Sequence, residues 1–367
     1  MPVSDTDICE YEVDLGLIET AVRKAGLIAK AAFISDKPEI WNKSGNHPVT
    51  DADIAVNDYL AGILGEARPG YGWLSEETPD DHSRHTCRRT FVVDPIDGTQ
   101  AFIDRSPNFA VSVAVIENGR SIAGALYNPL RDEMYTAIRD GGAKLNGRSI
   151  SVRDSDRIEH IRMVGYPRKF RRLGWPDMDV SIVNSMAYRV ALVASGAKHA
   201  TVSFTPKSDW DLAAAELIVC EAGGVITNLT GQRFRYDQDS VSETGVICAG
   251  PKLHALLLDR VKPTVAAYRK SDNKIRDFGF MGTHMTDRTE KPVQLLHLVI
   301  GGELVDPSRT EFRDLTQIDF VGAFPNYADA RDAWKSAAQR TVDNAHMRYF
   351  VLHAHELIDP DKDGFIG

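Results

Sequence analysis

The sequence predicts an α+β protein, because segments with helical and with strand periodicity both occur along it. Apolar residues recur at helical spacing over residues 14–33, and a second helical pattern follows Thr50. Residues 109–139 instead contain three strand-like runs, separated at Asn118-Gly119 and Asn128-Pro129. Short turns between apolar runs predict an antiparallel meander.

The remaining elements of a first domain, predicted over residues 1–261, follow from the same patterns. A basic, irregular stretch, YPRKFRRLGW, precedes the helical pattern SMAYRVALVASGA and the strand-like run HATVSF. The segment DWDLAAAELIVCEAGG then predicts a helix that ends at glycine. Two strand-like runs, GVITNL and GVICAG, and a helix that starts at proline, PKLHALLLD, complete the domain.

The last hundred residues have a different character. Residues 262–292 are predicted to be a linker, since the part beyond residue 269 has little periodicity and many charges. Beyond it lie the strand-like runs LLHLVIGG and QIDFVGAF, a helical pattern near Tyr327 and a last run, RYFVLHAHEL. They predict a small α+β module of ββαβ order over residues 293–367, a size at which independent folding is marginal.

Composition and charge limit the function. Apolar content of 43% and charged content of 26% are those of a globular protein. The net charge of −9 argues against binding to nucleic acid or to anionic membranes. No apolar run has the length of a membrane span, and the acidic N-terminus lacks a signal-peptide pattern. Since the four cysteines are far apart, without C-x-x-C spacing, we expect a cytoplasmic protein.

The stretch FVVDPIDGTQAFI, residues 91–103, carries two acids at the end of an apolar strand. Asp94 and Asp97 would repel each other there unless a cation lay between them. Hard divalent ions such as Mg²⁺ bind carboxylates, carbonyl oxygens and substrate phosphates. Asp94, Asp97 and the carbonyl of Ile96 offer such oxygens within one turn, so we predict a metal site.

Flanking residues extend this prediction. Gly98 and Thr99 begin a short helix whose free N–H groups can bind phosphate, and the Thr99 hydroxyl can orient a water. Glu76 ends the apolar run in GWLSEE, and Asp211 lies in the first turn of the helix in SDWDLAAAEL. Each acid alone carries little weight, but together they would form a cage for cations.

These segments resemble the inositol monophosphatase-like superfamily of metal-dependent phosphomonoesterases. Its members carry an acidic pair, then D-P-[IL]-D-G-T, then W-D-x-A-A; here these are Glu76-Glu77, residues 94–99 and residues 210–214. The resemblance covers residues 10–260 and implies a layered αβαβα sandwich of the sugar-phosphatase type. The C-terminal module resembles a small uncharacterised domain of bacterial proteins, which implies no function.

The resemblance also implies which residues hold metal. Glu76 and Asp94, with the carbonyl of Ile96, would hold one Mg²⁺, so that Glu76 also counts among the catalytic residues. Asp94 would bridge to a second Mg²⁺ that is also held by Asp97 and Asp211. A small phosphate ester as the substrate, inhibition by Li⁺ and a homodimer are expected on the same ground.

The remaining implied roles concern water and phosphate. Asp53 would pair with Thr99 to position the attacking water, Lys43 would lie near the site, and the N–H groups of Gly98 and Thr99 would bind the phosphate. Simpler interpretations stay open at several of these positions. Asp-Pro and Asp-Gly are ordinary turn sequences. A loop lysine such as Lys43 is often only solvated, and Thr50 with Asp53 also forms a plausible helix cap.

The motifs do not decide the substrate. WLSEE followed by Asp80-Asp81 resembles the bisphosphate nucleotidase branch, whereas WDLAAAELIVCEAGG resembles the inositol branch. We expect a substrate of the inositol monophosphate type, with 3′(2′),5′-bisphosphate nucleotidase or histidinol-phosphatase activity as alternatives. The non-enzymatic alternative is a phosphate-binding regulatory protein on the same scaffold. The presence of every acid expected of the metal cage argues against this alternative.

Overall fold

The computed structural model describes most of the chain. The described residues are 5–35, 40–43, 47–271, 297–306, 312–324, 330, 333–334, 336–337, 340–341 and 346–353. The chain divides into two compact units, Met1–Thr283 and His284–Gly367. This division falls inside the segment predicted to be a linker, and the bounds of the two predicted domains stay a prediction.

Helices and strands of the first unit occur in a mixed order. The helices are α1 (Asp5–Ile34), α2 (Asp51–Ala67), α3 (Thr99–Ile103), α4 (Pro167–Arg172), α5 (Met186–Ala194), α6 (Asp209–Glu221) and α7 (Pro251–Ser271). The strands are β1 (Ile40–Lys43), β2 (His47–Thr50), β3 (Gly72–Ser75), β4 (Arg89–Asp97), β5 (Ala110–Glu117), β6 (Arg120–Asn128), β7 (Glu133–Ile138), β8 (Ala143–Leu145), β9 (Arg148–Ser149), β10 (Arg162–Val164), β11 (Asp179–Ser181), β12 (Ala200–Ser203), β13 (Lys207–Ser208), β14 (Val225–Thr227), β15 (Ser242–Glu243) and β16 (Val246–Ala249).

Two principal sheets alternate with layers of helices. The first sheet has seven strands in the order β3-β4-β5-β6-β7-β8-β9, and the second has five in the order β11-β10-β12-β16-β14. Helices α1 and α2 pack on one face of the first sheet, α5 and α6 lie between the sheets, and α7 packs on the second sheet. The αβαβα layering implied by the family resemblance is confirmed.

Strand β5 shows how the first sheet serves two cores. All eight of its residues are buried, because helices cover the sheet on both faces. Side chains alternate across a strand, so successive residues enter different cores. The side chains in the core with α1 and α2 are Val111, Val113 and Val115, and those in the core with α5 and α6 are Ala110, Ala114 and Ile116.

The meander predicted over residues 109–139 is confirmed, since β5, β6 and β7 pair in antiparallel order. The turn between β5 and β6 has positive φ at Asn118 (54°) and Gly119 (76°), as short hairpin turns require. The stretch expected to be irregular instead contains the short helix α4, which starts at Pro167. Helix α7 continues to Ser271, into the predicted linker, because Val261 and Val265 still pack on the core of the second sheet.

The second unit contains a sheet of three strands among the described residues: β17 (His297–Glu303), β18 (Asp319–Phe324) and β19 (Met347–His353). Its order is β18-β17-β19, with both pairs antiparallel. The described residues between 330 and 340 are helical, so the order of elements is the predicted ββαβ. Across the described part of the chain, no helix combines the length and apolar character needed to cross a lipid bilayer.

Arg89, the first residue of β4, joins α1 to the first sheet. Its guanidinium donates to Asp14 and to Glu117, each at 3.0 Å, and to Glu10 at 2.6 Å. Asp14 is only 1% exposed and also accepts from Arg68 at 3.0 Å. Loss of the buried cation would leave these acids partly unpaired in a site with little water.

Arg89→Met should therefore lower the free energy of unfolding by about 3 kcal/mol, the scale for removal of one partner from a buried ion pair. Arg88→Met is the matched control, because Arg88 is 68% exposed in its side chain and also pairs with Glu117. Its loss should be below about 1 kcal/mol. Urea unfolding monitored by circular dichroism measures both variants, and equal losses would show that burial does not set the strength of this network.

Candidate active site

A bulge in β4 brings Asp94 and Asp97 to the same side of the first sheet. Asp94 pairs with Ser112 of β5 and Asp97 pairs with Ala110. Between these two pairs the chain advances by three residues on β4 but by only two on β5. Residues three apart on a regular strand face opposite sides, and the one extra residue cancels this alternation. Asp94 and Asp97 are therefore both buried on one side, at 1% and 4% exposure.

Asp211 reaches the same place from α6. It is the third residue of this helix and closes its N-terminus by accepting from the backbone N–H of Ser208 at 2.7 Å. One carboxylate oxygen each of Asp94, Asp97 and Asp211 lies within 4.8 Å of the others. The structure thus brings together three of the four acids predicted to hold metal, and we name them the carboxylate group.

Burial and the neighbouring carboxylates disfavour the ionised form of Asp94. Burial, followed by the charges of Glu76, Asp97 and Asp211, raises its pKa well above the usual range. Its Oδ1 atom is buried and has no hydrogen-bond partner among the described residues. A buried, unpartnered oxygen next to other carboxylates fits a divalent cation, and the all-oxygen donor set is the one that Mg²⁺ prefers.

Asp97 is held by the N-terminus of α5. It accepts from the Ser185 hydroxyl and from the backbone N–H groups of Met186 (3.0 Å) and Ala187 (2.6 Å). Burial and the charge of Asp211 raise its pKa to about 6, although the bonds from Ser185 and Met186 and the charge of Lys207 lower it. Sequence analysis missed Ser185 and Lys207, since neither stands in a recognisable pattern with the acids.

Asp53 and Thr99 form the pair predicted to position water. The Thr99 hydroxyl lies 3.2 Å from Asp53 Oδ1 and 3.2 Å from the carbonyl oxygen of Ile96. Asp53 Oδ2 accepts from the backbone and the hydroxyl of Thr50, which completes the helix cap that the sequence allowed. Burial raises the Asp53 pKa to about 6, against the opposing effect of these hydrogen bonds. The Asp53 carboxylate therefore takes part both in the helix cap with Thr50 and in the pair with Thr99.

Gly98 has a conformation and surroundings that require glycine. Its φ of 97° is left-handed, and a Cβ there would lie 3.0–3.1 Å from atoms of Ser185. The turn consequently brings the start of α3, at Thr99, close to the start of α5. The N–H groups of Gly98 and Thr99 occur at this junction, next to Asp97.

Glu76 and Lys43 are less closely placed. Glu76 follows β3, donates its backbone N–H to the carbonyl of Val93 at 3.3 Å and contributes to the raised pKa of Asp94. It nevertheless lies outside the compact carboxylate group. The backbone of Lys43 ends β1, paired with His47 of β2, while its side chain lies outside the described residues.

A second group of potential ligands was not predicted from the sequence. His82, His85 and Asp239 have ligand atoms within 4.8 Å of one another on the surface. The two histidine rings stack with their centroids 5.6 Å apart. Asp239 lies more than 150 residues further along the chain, so only the folded chain reveals the grouping.

Comparison with known proteins identifies the family. The profile described as the inositol monophosphatase family matches residues 11–265. The chain belongs to this family. A second profile, described as a domain of unknown function (DUF4170), matches residues 295–354 and confirms the resemblance of the C-terminal module to a small uncharacterised domain.

Relatives within the inositol monophosphatase family carry two kinds of name. Inositol-1-monophosphatase of Mesorhizobium japonicum is 34% identical over 272 residues, which cover 69% of this chain and 97% of the relative. Nus factor SuhB of Escherichia coli K12 is 34% identical over 232 residues, 59% of this chain and 85% of the relative. The crystal structure of extragenic suppressor protein suhB from Bartonella henselae has a TM-score of 0.61 at 26% identity, covering 68% of this chain and 98% of that one.

The raised pKa values predict how Mg²⁺ should affect stability. Asp53 and Asp97, near 6, and Asp94, above its usual range, bind protons more tightly in the folded than in the unfolded chain. Without metal, stability should therefore fall as pH rises from about 4 through about 6. Mg²⁺ binds the ionised carboxylates, so the rise in Tm on adding Mg²⁺ should be larger near pH 7.5 than near pH 5.

Differential scanning calorimetry with EDTA and with Mg²⁺ at both pH values measures this effect. Buried acids outside the site, such as Asp209 and Glu216, also have pKa values raised to about 7 but should not respond to Mg²⁺. The difference between the two conditions therefore isolates the carboxylate group. The prediction fails if Mg²⁺ raises Tm equally at the two pH values.

Proposed function

We propose that the chain is a Mg²⁺-dependent phosphomonoesterase that hydrolyses a small phosphorylated metabolite of the inositol monophosphate type. The observation that supports this most is the buried, unpartnered Oδ1 of Asp94 within the carboxylate group. Membership of the inositol monophosphatase family, and the name of the Mesorhizobium japonicum relative, point to the same chemistry. We assign the phosphatase activity to residues 1–261, with 262–292 as linker and 293–367 as a separate module.

The residues that would hold Mg²⁺ are those of the carboxylate group with two additions. Asp94 with Glu76 and the carbonyl of Ile96 would form one position, and Asp94 with Asp97 and Asp211 a second. Bound Mg²⁺ supplies Lewis-acid activation of water and neutralises charge that develops on the phosphate and the leaving oxygen. The bonds from the N-terminus of α5 keep Asp97 ionised near neutral pH and fix its orientation.

Asp53 and Thr99 would orient the attacking water. Asp53, with a pKa of about 6, is mainly ionised near neutral pH and so accepts a hydrogen bond from the Thr99 hydroxyl. The Thr99 oxygen is then directed to accept a hydrogen bond from water. The N–H groups of Gly98 and Thr99 would bind the phosphate, and Lys43 stays a candidate for the same region. Position and charge, without a covalent intermediate, would account for the catalysis.

Two other interpretations have specific support. Bisphosphate nucleotidase and histidinol-phosphatase activities fit the same metal site, because the motifs do not reach the part of the substrate beyond the phosphate. A regulatory role is favoured by the relatives named Nus factor SuhB. A panel of inositol 1-phosphate, 3′-phosphoadenosine 5′-phosphate, histidinol phosphate and fructose 1,6-bisphosphate, assayed with and without Mg²⁺, separates these cases. Release of phosphate from none of them would favour the regulatory interpretation.

Asp94→Asn should reduce Mg²⁺-dependent hydrolysis by on the order of 10³-fold or more, because Asp94 would be a ligand at both metal positions. The other predicted ligands would stay in place. The fold should persist, since the change removes a buried charge that is poorly compensated without metal. The loss of activity is measured as the ratio of kcat/KM for phosphate release between the unaltered chain and the variant. Asp104→Asn, at an exposed residue just after α3, is the matched control and should keep activity. Full activity in the Asp94→Asn variant would remove Asp94 from the mechanism.

A homodimer, inhibition by Li⁺ and the absence of nucleic-acid and membrane partners are further parts of the proposal. Li⁺ would compete with Mg²⁺ for a position in the carboxylate group. An enzyme that is insensitive to Li⁺ would weaken this family-based expectation and leave the assigned ligands untouched. Analytical ultracentrifugation of the full chain tests the expected dimer.

A further inference from the structure

A cavity of about 700 Å³ lies near the C-terminal half of α6, while Asp211 lies at the N-terminal end of that helix. The charged side chains on its wall are Arg120, Arg139, Arg233, Glu216 and Glu221. A helix rises about 1.5 Å per residue, which places Glu216 roughly 7 Å and Glu221 roughly 15 Å along α6 from Asp211. The cavity is therefore separate from the carboxylate group, and the two share only the helix.

Three arginines line this cavity; Arg120 and Arg233 are exposed and Arg139 is half-buried. Arg120 donates to the carbonyl of Phe234 at 3.2 Å, and Arg139 to the carbonyl of Ser121 at 2.7 Å. Within the described residues, none of Arg120, Arg139 and Arg233 forms an ion pair. Carbonyl oxygens hold a guanidinium in place but do not neutralise it, and each group has N–H donors left for an anion.

The acids of the cavity offset the three positive charges only in part. Glu221 already accepts from the backbone N–H groups of Asp140 and Gly142, both at 2.9 Å. Glu216 is 8% exposed, and burial raises its pKa to about 7 despite the three arginines. The buried Tyr236 hydroxyl lies beside Glu216, and a hydrogen bond between the two side chains lowers the pKa of Glu216 against the effect of burial. With three arginines against Glu221 and a Glu216 whose ionisation is disfavoured, the cavity carries a net positive charge.

We propose that this cavity binds a small molecule through an oxyanion group, such as a phosphate, sulfate or carboxylate, that Arg120, Arg139 and Arg233 hold. The volume is in the range of roughly 300–1,000 Å³ found for metabolite sites. Guanidinium groups bind oxyanions with charge-assisted and often paired hydrogen bonds, which are stronger than neutral ones. This binding does not depend on the proposed phosphatase activity, because no residue of the cavity belongs to the carboxylate group.

Isothermal titration of the full-length chain with sodium sulfate, in buffer without divalent metal, tests the proposal. The unaltered chain should bind sulfate, and Arg233→Gln or Arg120→Gln should each weaken the affinity by about tenfold. Arg235→Gln is the matched control, because Arg235 is an exposed arginine in the same segment as Arg233 but outside the cavity. It should keep the affinity of the unaltered chain.

No heat of sulfate binding at millimolar concentrations, or equal affinity in the Arg233→Gln and Arg235→Gln variants, would overturn the proposal. Sulfate bound non-specifically at other basic side chains would respond equally to both of these substitutions. The substrate panel and the Asp94→Asn variant test the proposed phosphatase separately, so failure of one conclusion leaves the other standing.

The pH dependence of sulfate binding identifies the part of the cavity that is occupied. Sulfate keeps its charge between about pH 6 and pH 8, whereas Glu216 ionises in this interval. The groups around it are the three arginines, Tyr236, Glu221 and the exposed thiol of Cys220, whose pKa is raised. Affinity should therefore fall as pH rises, and Glu216→Gln should abolish this fall. An unchanged pH profile in that variant would overturn the placement of the anion beside Glu216.

Discussion

Repulsion among buried carboxylates is the constraint around which the first unit is arranged. Asp94 is 1% exposed, has one unpartnered oxygen and lies next to Glu76, Asp97 and Asp211. In water such charges would be screened, but burial in an apolar strand removes that screening. The same burial makes the site useful, since ligands held rigidly and away from solvent bind a cation strongly. A single bulge in β4, confined to one step, turns both aspartates toward this site.

The helices between the sheets offset part of this repulsion. The N-terminus of α5 donates two backbone N–H groups to Asp97, and that of α6 is closed by Asp211, so both helix dipoles present their positive ends to the acids. Helix α6 lies close to β6 at Gly124, where a Cβ would be only 3.2 Å from the backbone of Ala214. Even so, the pKa of Asp97 stays near 6. Protein dipoles therefore compensate incompletely, and a divalent cation can supply the remainder.

Sequence could predict what is encoded within a few residues, and it missed what only folding brings together. The start of α3 at Thr99 and the cap of α2 by Thr50 are local, and both occur as predicted. The predicted turn from Asp94 to Asp97 is instead a bulge in β4, which pairing with β5 sets. Ser185 and Lys207 come from segments about ninety and more than a hundred residues after Asp97, with nothing local to mark them. The arginine cavity is likewise assembled from separate segments. Helix α7 continues past its predicted end, where Val261 and Val265 still pack on the core of the second sheet.

The stability of the first unit bears on whether the fold is a scaffold or a catalyst. A buried carboxylate that lacks full compensation destabilises a protein, and an amide or apolar side chain of similar size at that position is often neutral or stabilising. A chain that needed this fold only as a binding scaffold would gain stability from Asn at position 94 and would lose nothing by it. The position of Asp94, in a bulge beside Asp97 and Asp211, fits a function that requires the charge, such as the proposed coordination of Mg²⁺. The relatives' names, enzyme or Nus factor, are therefore less decisive for this chain than a measurement of how much Mg²⁺ binding stabilises it.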